Sequence, residues 1–413
     1  MLPSITFGKD ALSRFGEVIE KEWLITNGLG GYSSSTVLGI NTRKYHGLLI
    51  AALDPPGNRT VCVSKLDEDV ILGDEVYRLG SNEFHDVIYP EGYKLITQFS
   101  LNSFPTYSYN VSSVHVNKTV FMPKNKNAVA VTYKITNNNG SDVKIRLYPL
   151  LTCRYFHNVV YRMRVPLNFA LENTGTQFQA TFQRPQAVIL CRITEGEFEE
   201  KVNWLNHIHY RDELLRGEAD VDDCFQPGYF EVQVPANGEK EFAVTIAVSH
   251  ESQEAKEILD SIGKTFEEVN ASLNRELNQQ SNLLANFYHA HPKAPMSDWL
   301  NWILLAADSF MVENSAGKKA YEQMLAAQKE AAAIREKIKD RIDNEPNVKK
   351  AQAEITDALK DEQQAERAAG SARSAALKEQ QQVAQAQKHL NDAKAADRRD
   401  DAQDKKKNSN KKK

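Results

Sequence analysis

The chain has 413 residues and a formal net charge of −4. That is length for two or three domains, and too little positive charge for a dedicated nucleic-acid binder, so no nucleic-acid partner is expected. Four widely spaced cysteines, Cys62, Cys153, Cys191 and Cys224, form no C-x-x-C pair; buried thiols in a reducing compartment are expected, and neither a metal centre nor a disulfide framework. No apolar run reaches the ~18 residues of a membrane span. MLPSITFGKD has no basic stretch followed by an apolar one, so a cytoplasmic protein with no membrane partner is expected.

The first informative stretch runs from Trp23 to Leu49, WLITNGLGGYSSSTVLGINTRKYHGLL. NGLGG reads as a shaped turn, because glycine accepts positive φ and close backbone approach. Its spacing is not that of a dinucleotide-binding turn, and no crossover helix follows it, which excludes nucleotide binding. Trp23, Asn27, Arg43, Tyr45 and His46 give this loop aromatic faces for C–H surfaces, with amide and guanidinium groups for hydroxyls, the equipment for gripping a sugar.

Downstream, AVAVTYKIT sets Val129, Val131, Tyr133 and Ile135 on one face, NNNGSD turns, and VKIRL alternates through Val143, Ile145 and Leu147, which predicts a hairpin. YFEVQV, PANGEK and EFAVTIAV predict a second, and FQATF and AVILC add strands. His207 and His209 alternate on one of these strands, but two histidines without a third ligand make no metal site. Tyr210, Glu213, Arg216 and Gly217 predict a turn braced by a buried Arg–Glu pair. Many short strands joined by Asn, Gly and Pro turns indicate a sandwich.

From about residue 251 the period becomes helical. Thr265 with Glu268 forms a capping-box pattern, and Leu273, Leu277, Leu284 and Phe287 fall at helical spacing. SDWLNWILLAADSFMV, with Ser297 as N-cap, is apolar around its whole circumference and should be buried or self-associate. From about residue 320 the composition turns to Ala, Gln, Lys, Glu and Asp, with no aromatic residue after Tyr321. High helix propensity with few apolar anchors predicts one or two exposed helices broken near Pro346 and Gly370, no sustained heptad, and a disordered KKKNSNKKK end.

Three of these segments carry a resemblance. The Trp23–Leu49 stretch, PLLTCRYFHN from Pro149, and HIHYRDELLRGEADVDDCFQPGYF from His207 to Phe230 resemble, in order, the amino-terminal domain of prokaryotic-type glycogen debranching enzymes, the amylo-α-1,6-glucosidase family. In one place the chain departs from that pattern: Tyr155 and Phe156 stand between Arg154 and His157, where the family has Arg-Asp ahead of the His. The resemblance implies a mainly β fold, a large antiparallel supersandwich over residues 1–250 and linker helices over 251–319; composition alone assigns the charged helical tail over 320–413, which is unrelated to the family. It implies α-glucan, glycogen or dextrin, as partner, no metal or organic cofactor, and Trp23, Asn27, Arg43, Tyr45, His46, Arg154 and His157 as substrate-binding residues.

In that family an (α/α)6 toroid follows the sandwich and holds the catalytic carboxylates. Here the likeness runs through FMVENSAGKK, and the Trp-Gly-Arg-Asp type segment expected next does not follow. Glycoside hydrolysis needs a carboxylate pair flanking the scissile bond, and an exposed acidic helix without aromatic walls supplies none, so no catalytic residue is assigned and this chain alone is expected to be inactive. The alternatives are a non-enzymatic carbohydrate-binding module with a helical oligomerisation tail, and a scaffold that only braces other proteins. Self-association is expected through residues 297–312.

Overall fold

The computed structural model describes residues 2–312 apart from 86 and 164–168, together with 328–330, 354–376 and four single positions beyond. The chain divides into two units, Met1–Val312 and Glu313–Lys413. The strands of the first unit are β1 (Ile5–Gly8), β2 (Glu22–Thr26), β3 (Tyr32–Thr36), β4 (Gly47–Asp54), β5 (Gly57–Leu72), β6 (Glu75–Arg78), β7 (Ser81–Phe84), β8 (Val87–Glu91), β9 (Ile96–Asn102) and β10 (Phe104–Val111). They continue as β11 (Val114–Phe121), β12 (Ala128–Asn137), β13 (Val143–Tyr155), β14 (Phe169–Asn173), β15 (Gln177–Gln183), β16 (Gln186–Ile193), β17 (Glu197–His209), β18 (Val221–Val234) and β19 (Gly238–Ser249).

The fold is mainly β, as expected. A nine-stranded antiparallel sheet runs β1-β9-β10-β11-β12-β19-β16-β15-β14, and an eight-stranded one runs β17-β18-β13-β5-β4-β3-β2 with β6 beside β5. Their inner faces share one core, in which Tyr133, Phe178 and Phe242 of the first sheet join Leu49, Leu147 and Phe230 of the second, all fully buried. Alternation along each strand produces this, since side chains i and i+2 point to the same face.

The two expected hairpins do not form. β12 pairs with β19 and β13 with β18, so residues 138–142 and 235–237 each cross from one sheet to the other. Alternation assigns a face and says nothing of the partner strand. Asn137 locks the crossings together. Its buried Nδ2 donates to Ser141 O at 2.9 Å and Pro235 O at 3.0 Å, and its Oδ1 accepts from the Asn139 amide at 3.0 Å. FQATF and AVILC, by contrast, pair with each other as β15 and β16, through Gln183 opposite Gln186.

Among the described residues of the first unit, six α-helices accompany the sheets: α1 (Lys9–Leu12), α2 (Phe15–Val18), α3 (Arg211–Leu215), α4 (Ser252–Ile262), α5 (Phe266–Ala290) and α6 (Asp298–Ser309). α4 lays Ala255, Leu259 and Ile262, at i, i+4 and i+7, against β16 and β19. The capping box at α5 is present, with the Glu268 amide on Thr265 Oγ1 and the Thr265 amide on Glu268 Oε2, both at 3.3 Å. Gly263 makes the turn between the two helices at φ +141, where a Cβ would meet Glu268 Cβ at 2.6 Å.

In α6 the one buried residue is polar. Asn301 accepts from the Tyr288 hydroxyl at 2.7 Å, while Trp299, Ile303, Phe310 and Met311 on and just after the helix are 60, 55, 75 and 71% exposed. Ser297 stands at the N-cap without a side-chain capping bond. The helix is tied to the sandwich by polar links, Thr26 Oγ1 to Ser309 O at 2.9 Å and Lys124 Nζ to Asp308 at 2.5 Å.

In the second unit residues 354–376 are one helix, which runs on through Gly370 instead of breaking there. Its half-buried positions are Ile355, Ala358, Glu362, Ala365, Ala369, Ala372 and Ala376, alternating spacings of three and four. Alanine carries this seam, so a count of large apolar residues misses it. Pro346 and the KKKNSNKKK end lie outside the described residues.

Candidate functional site

Three segments far apart in sequence meet at one end of the eight-stranded sheet: the loop between β3 and β4, the segment after β13, and α3 with the start of β18. Arg154 is the clasp. Its buried guanidinium donates from Nε to Asp222 Oδ2 at 2.7 Å, from Nη1 to Asn158 O at 2.7 Å and from Nη2 to Lys44 O at 2.8 Å. Tyr210 adds its hydroxyl to Asp222 Oδ2 at 2.8 Å, and Asp222 Oδ1 takes the Val160 amide at 2.7 Å. Burial opposes the charge on Arg154, but Asp222 outweighs it and raises the arginine's pKa.

The polar loop Asn41–Gly47 is pinned by its own side chains. Arg43 Nε bonds Glu22 Oε1 at 2.6 Å and lies 3.5 Å from Asp212, and the buried Lys44 reaches Glu218 at 2.5 Å and Glu213 at 3.9 Å. Arg216 is exposed, so the expected Arg–Glu brace of this turn is a lysine pair with the fully buried Glu213, and the buried arginine here is Arg154. His46 Nδ1 accepts from the Thr42 amide at 3.1 Å, which puts the proton of the neutral ring on Nε2, 3.5 Å from Glu22. Contact with His46 and with Arg43 pulls the Glu22 carboxyl down to about 2 against its partial burial.

Of the other expected residues, Trp23 is buried and donates to the Tyr107 hydroxyl at 2.7 Å, joining the two sheets. Asn27, fully buried, builds the glycine turn. Its Oδ1 accepts from Leu29 and Gly31 amides at 2.9 and 3.0 Å, and its Nδ2 donates to Lys126 O at 2.9 Å. Those amides are therefore not free to cradle a phosphate. Gly30, at φ +95, would drive a Cβ to 2.5 Å from Pro56 O.

Tyr45 and His157 reach the surface and meet there, with the Tyr45 hydroxyl 3.0 Å from His157 Nδ1. Around them stand residues that motif reading missed. The Tyr45 ring meets Phe156 edge-on at 5.6 Å, Phe156 lies 4.0 Å from His157, and Tyr155 lies 5.2 Å from His157. Tyr155 and Phe156 are the very residues that interrupt the Arg–His pattern. Arg59 lies over the Phe156 ring at 5.7 Å and donates to Gly30 O at 2.7 Å, and Tyr32 donates its hydroxyl to Tyr45 O at 2.9 Å. Burial, opposed by Arg59, pushes the Tyr32 phenol up to about 12, so it remains a neutral donor. Arg59 and Tyr32 also line a cavity of about 340 Å³ with Gly28, Gly30, Gly31 and Phe310. The result is an aromatic platform running into a cavity with a cationic rim.

Among the described residues no group of three His, Cys, Asp or Glu is placed to hold a metal ion, and no helix is long and apolar enough to cross a membrane. All four cysteines are buried and unpaired.

The family model described as glycogen debranching enzyme N terminal matches residues 21–241. No curated protein matches the chain. Among solved structures, a bacterial glucoamylase complexed with acarbose is similar at 12% identity and a TM-score of 0.35, over 64% of this chain and 36% of that one. A candidate kojibiose phosphorylase from the human microbiome is similar at 11% identity and a TM-score of 0.37, over 67% of this chain and 37% of that one. A 4-alpha-glucanotransferase from Thermococcus litoralis is similar at 10% identity and a TM-score of 0.23, over 45% of this chain and 27% of that one. The chain thus spans little more than a third of the length of the first two.

Proposed function

The chain belongs to the glycogen debranching enzyme N-terminal family, and from that premise we propose that its sandwich grips α-glucan on the platform of Tyr45, Tyr155, Phe156 and His157. The observation that carries this reading is the convergence of all three debranching-like segments on the Arg154 clasp, two of which go on to meet at the surface in the Tyr45–His157 contact. The platform rings pack edge-on or tilted against one another, which leaves ring faces for the C–H surfaces of glucose, and Arg59 and the ring hydroxyls suit its oxygens. The reaction served is cleavage of α-1,6 branch linkages in glycogen breakdown, in the cytoplasm, with residues 1–250 as the contacting domain and 251–319 as the linker. Trp23, Asn27, Arg43, His46 and Arg154 act in it by holding the platform.

The platform grips and does not cut. Glu22, the carboxylate beside the loop, is held ionised down to about 2 and so cannot serve as the protonated acid that glycoside hydrolysis needs, and no catalytic residue is assigned here. Retention on a glycogen affinity gel tests the proposal. Tyr45→Ala and Phe156→Ala are each expected to weaken retention several-fold with an unchanged melting temperature, and glucose release from branched limit dextrin should stay at the blank. Equal retention by wild type and both variants would leave the platform as architecture.

A further inference from the structure

A second cavity, about 800 Å³, opens where the β7–β8 hairpin faces the ends of β17 and β18. Its lining includes Phe84, His85, Tyr161, His207, His209 and Asp220. Two stacked ring pairs wall it. Tyr161 and His207 lie 5.7 Å apart at 20°, and His85 and His209 lie 5.7 Å apart at 28°. The buried His209 places Nδ1 2.9 Å from Asp220.

This pocket is built with unusual care. Asp223, buried, accepts the Arg162 amide on Oδ2 and the His207 amide on Oδ1, both at 2.7 Å. One carboxylate therefore fixes the backbone on both sides of the Tyr161–His207 pair. Asp222 holds the neighbouring Val160 amide at 2.7 Å, and the Asp223 amide returns a bond to Val160 O at 2.8 Å.

His207 sits at φ +63, where the pairing of β17 with β18 shifts between Leu205 and Ile208. A non-glycine residue in that region is strained, and bulges of this kind re-aim side chains beside binding sites. Here the bulge turns an exposed imidazole onto Tyr161, a gain for a ring platform and none for the core.

We propose that this cavity is a second α-glucan subsite, taking the strand on from the Tyr45 platform; the inference rests on the glucan reading of that platform. Three residues separate His157 on the first surface from Tyr161 on the second. The volume lies within the roughly 300–1,000 Å³ of small-molecule sites. Rings on two sides match the C–H faces of glucose units, and Asp220 and Asn206 supply acceptors and donors for hydroxyls. Asp220 in the wall disfavours an anionic ligand.

Titration of the full chain with maltoheptaose, beside retention on glycogen, tests this. Tyr161→Ala and His207→Gly are each expected to weaken binding roughly threefold to tenfold, the loss of one aromatic contact. Tyr161→Phe should bind as wild type. His207→Gly should melt at the same temperature as wild type or higher, since glycine relieves the positive φ while removing the ring. Wild-type affinity in both His207→Gly and Tyr161→Ala, with Tyr45→Ala weakened, overturns the second subsite and leaves the platform standing. A wild-type chain that binds no maltoheptaose and is not retained on glycogen overturns both.

Discussion

The two sheets of the sandwich are built to different standards of regularity. Among the described residues, one of eight strand pairings in the nine-stranded sheet contains a register shift, between β9 and β10. In the eight-stranded sheet five of seven do, and only β2–β3 and β5–β6 run unbroken. Both proposed glucan surfaces lie on the interrupted sheet. A regular ladder maximises burial and leaves no backbone free to aim a side chain, whereas each shift bends a strand and redirects the residue beside it. The nine-stranded sheet is the scaffold, and the other has given up regularity to carry sites.

That division has a mechanical consequence, because a bent sheet edge needs another brace. Arg154 supplies it, between the β3–β4 loop, the segment after β13 and β18. Arg154→Ala leaves Asp222 buried and uncompensated, and is expected to cost about 3–5 kcal/mol. Glucan retention should fall with it, since Lys44 O and Asn158 O lose their anchor. Thermal melting with a calorimetric check decides the matter. A melting temperature unchanged by Arg154→Ala would mean that the interrupted sheet holds its shape without a clasp.

The outward face of α6 lies exposed, and this extends the comparison to a third region. Two polar links tie the helix to the sandwich and Leu300, Trp302, Leu304 and Leu305 are half-buried, while Trp299 and Ile303 face outward. Burying one such side chain is favourable by about 1.5–3 kcal/mol, enough to drive self-association. Full-length protein is expected to show dimers or larger species by light scattering, and Trp299→Ser with Ile303→Ser to shift it toward monomer by an order of magnitude in dissociation constant. A monodisperse wild-type monomer would show that this face is covered within the chain.

The same contrast explains what could be read from the sequence. In the regular sheet, FQATF and AVILC form strands as expected, and the Thr265–Glu268 cap follows from local chemistry alone. The false hairpins arose because residues 138–142 look like any polar turn, and only the Asn137 bonds to Ser141 and Pro235 reveal a crossing. At the site, the residues that the resemblance nominated are of two structural kinds. Trp23, Asn27, His46 and Arg154 are internal supports, whereas Tyr45 and His157 are surface. Arg59 and Tyr32 sit on strands that read as ordinary β, and no local pattern shows that Arg59 lies over Phe156 or that Tyr32 reaches Tyr45 O. The Asp222–Arg154 pair joins residues 68 positions apart, beyond the reach of any periodicity.

The smallest expected effect concerns the charge that tethers the polar loop to β2. Glu22 is lowered from 4.5 to about 2 by His46 and Arg43, so the folded state favours its ionised form. A depressed carboxyl contributes stability above its unfolded pKa, and that contribution is lost as pH falls through the folded value, here between 4.5 and about 2. Solvent reaches 34% of the Glu22 side chain. The pair is therefore worth about 0.2–1 kcal/mol rather than the full value of the shift. Glu22→Gln should lower the melting temperature by about one to three degrees at pH 7, and the gap should shrink below half by about pH 3. Glucan retention should follow stability and show no separate loss, because Glu22 holds the loop and does not line the platform. A gap that widens on acidification would reverse the assignment, since it would mean that the pair favours the protonated carboxyl. A retention loss larger than the stability loss would instead move Glu22 from the supports of the interrupted sheet to its binding surface.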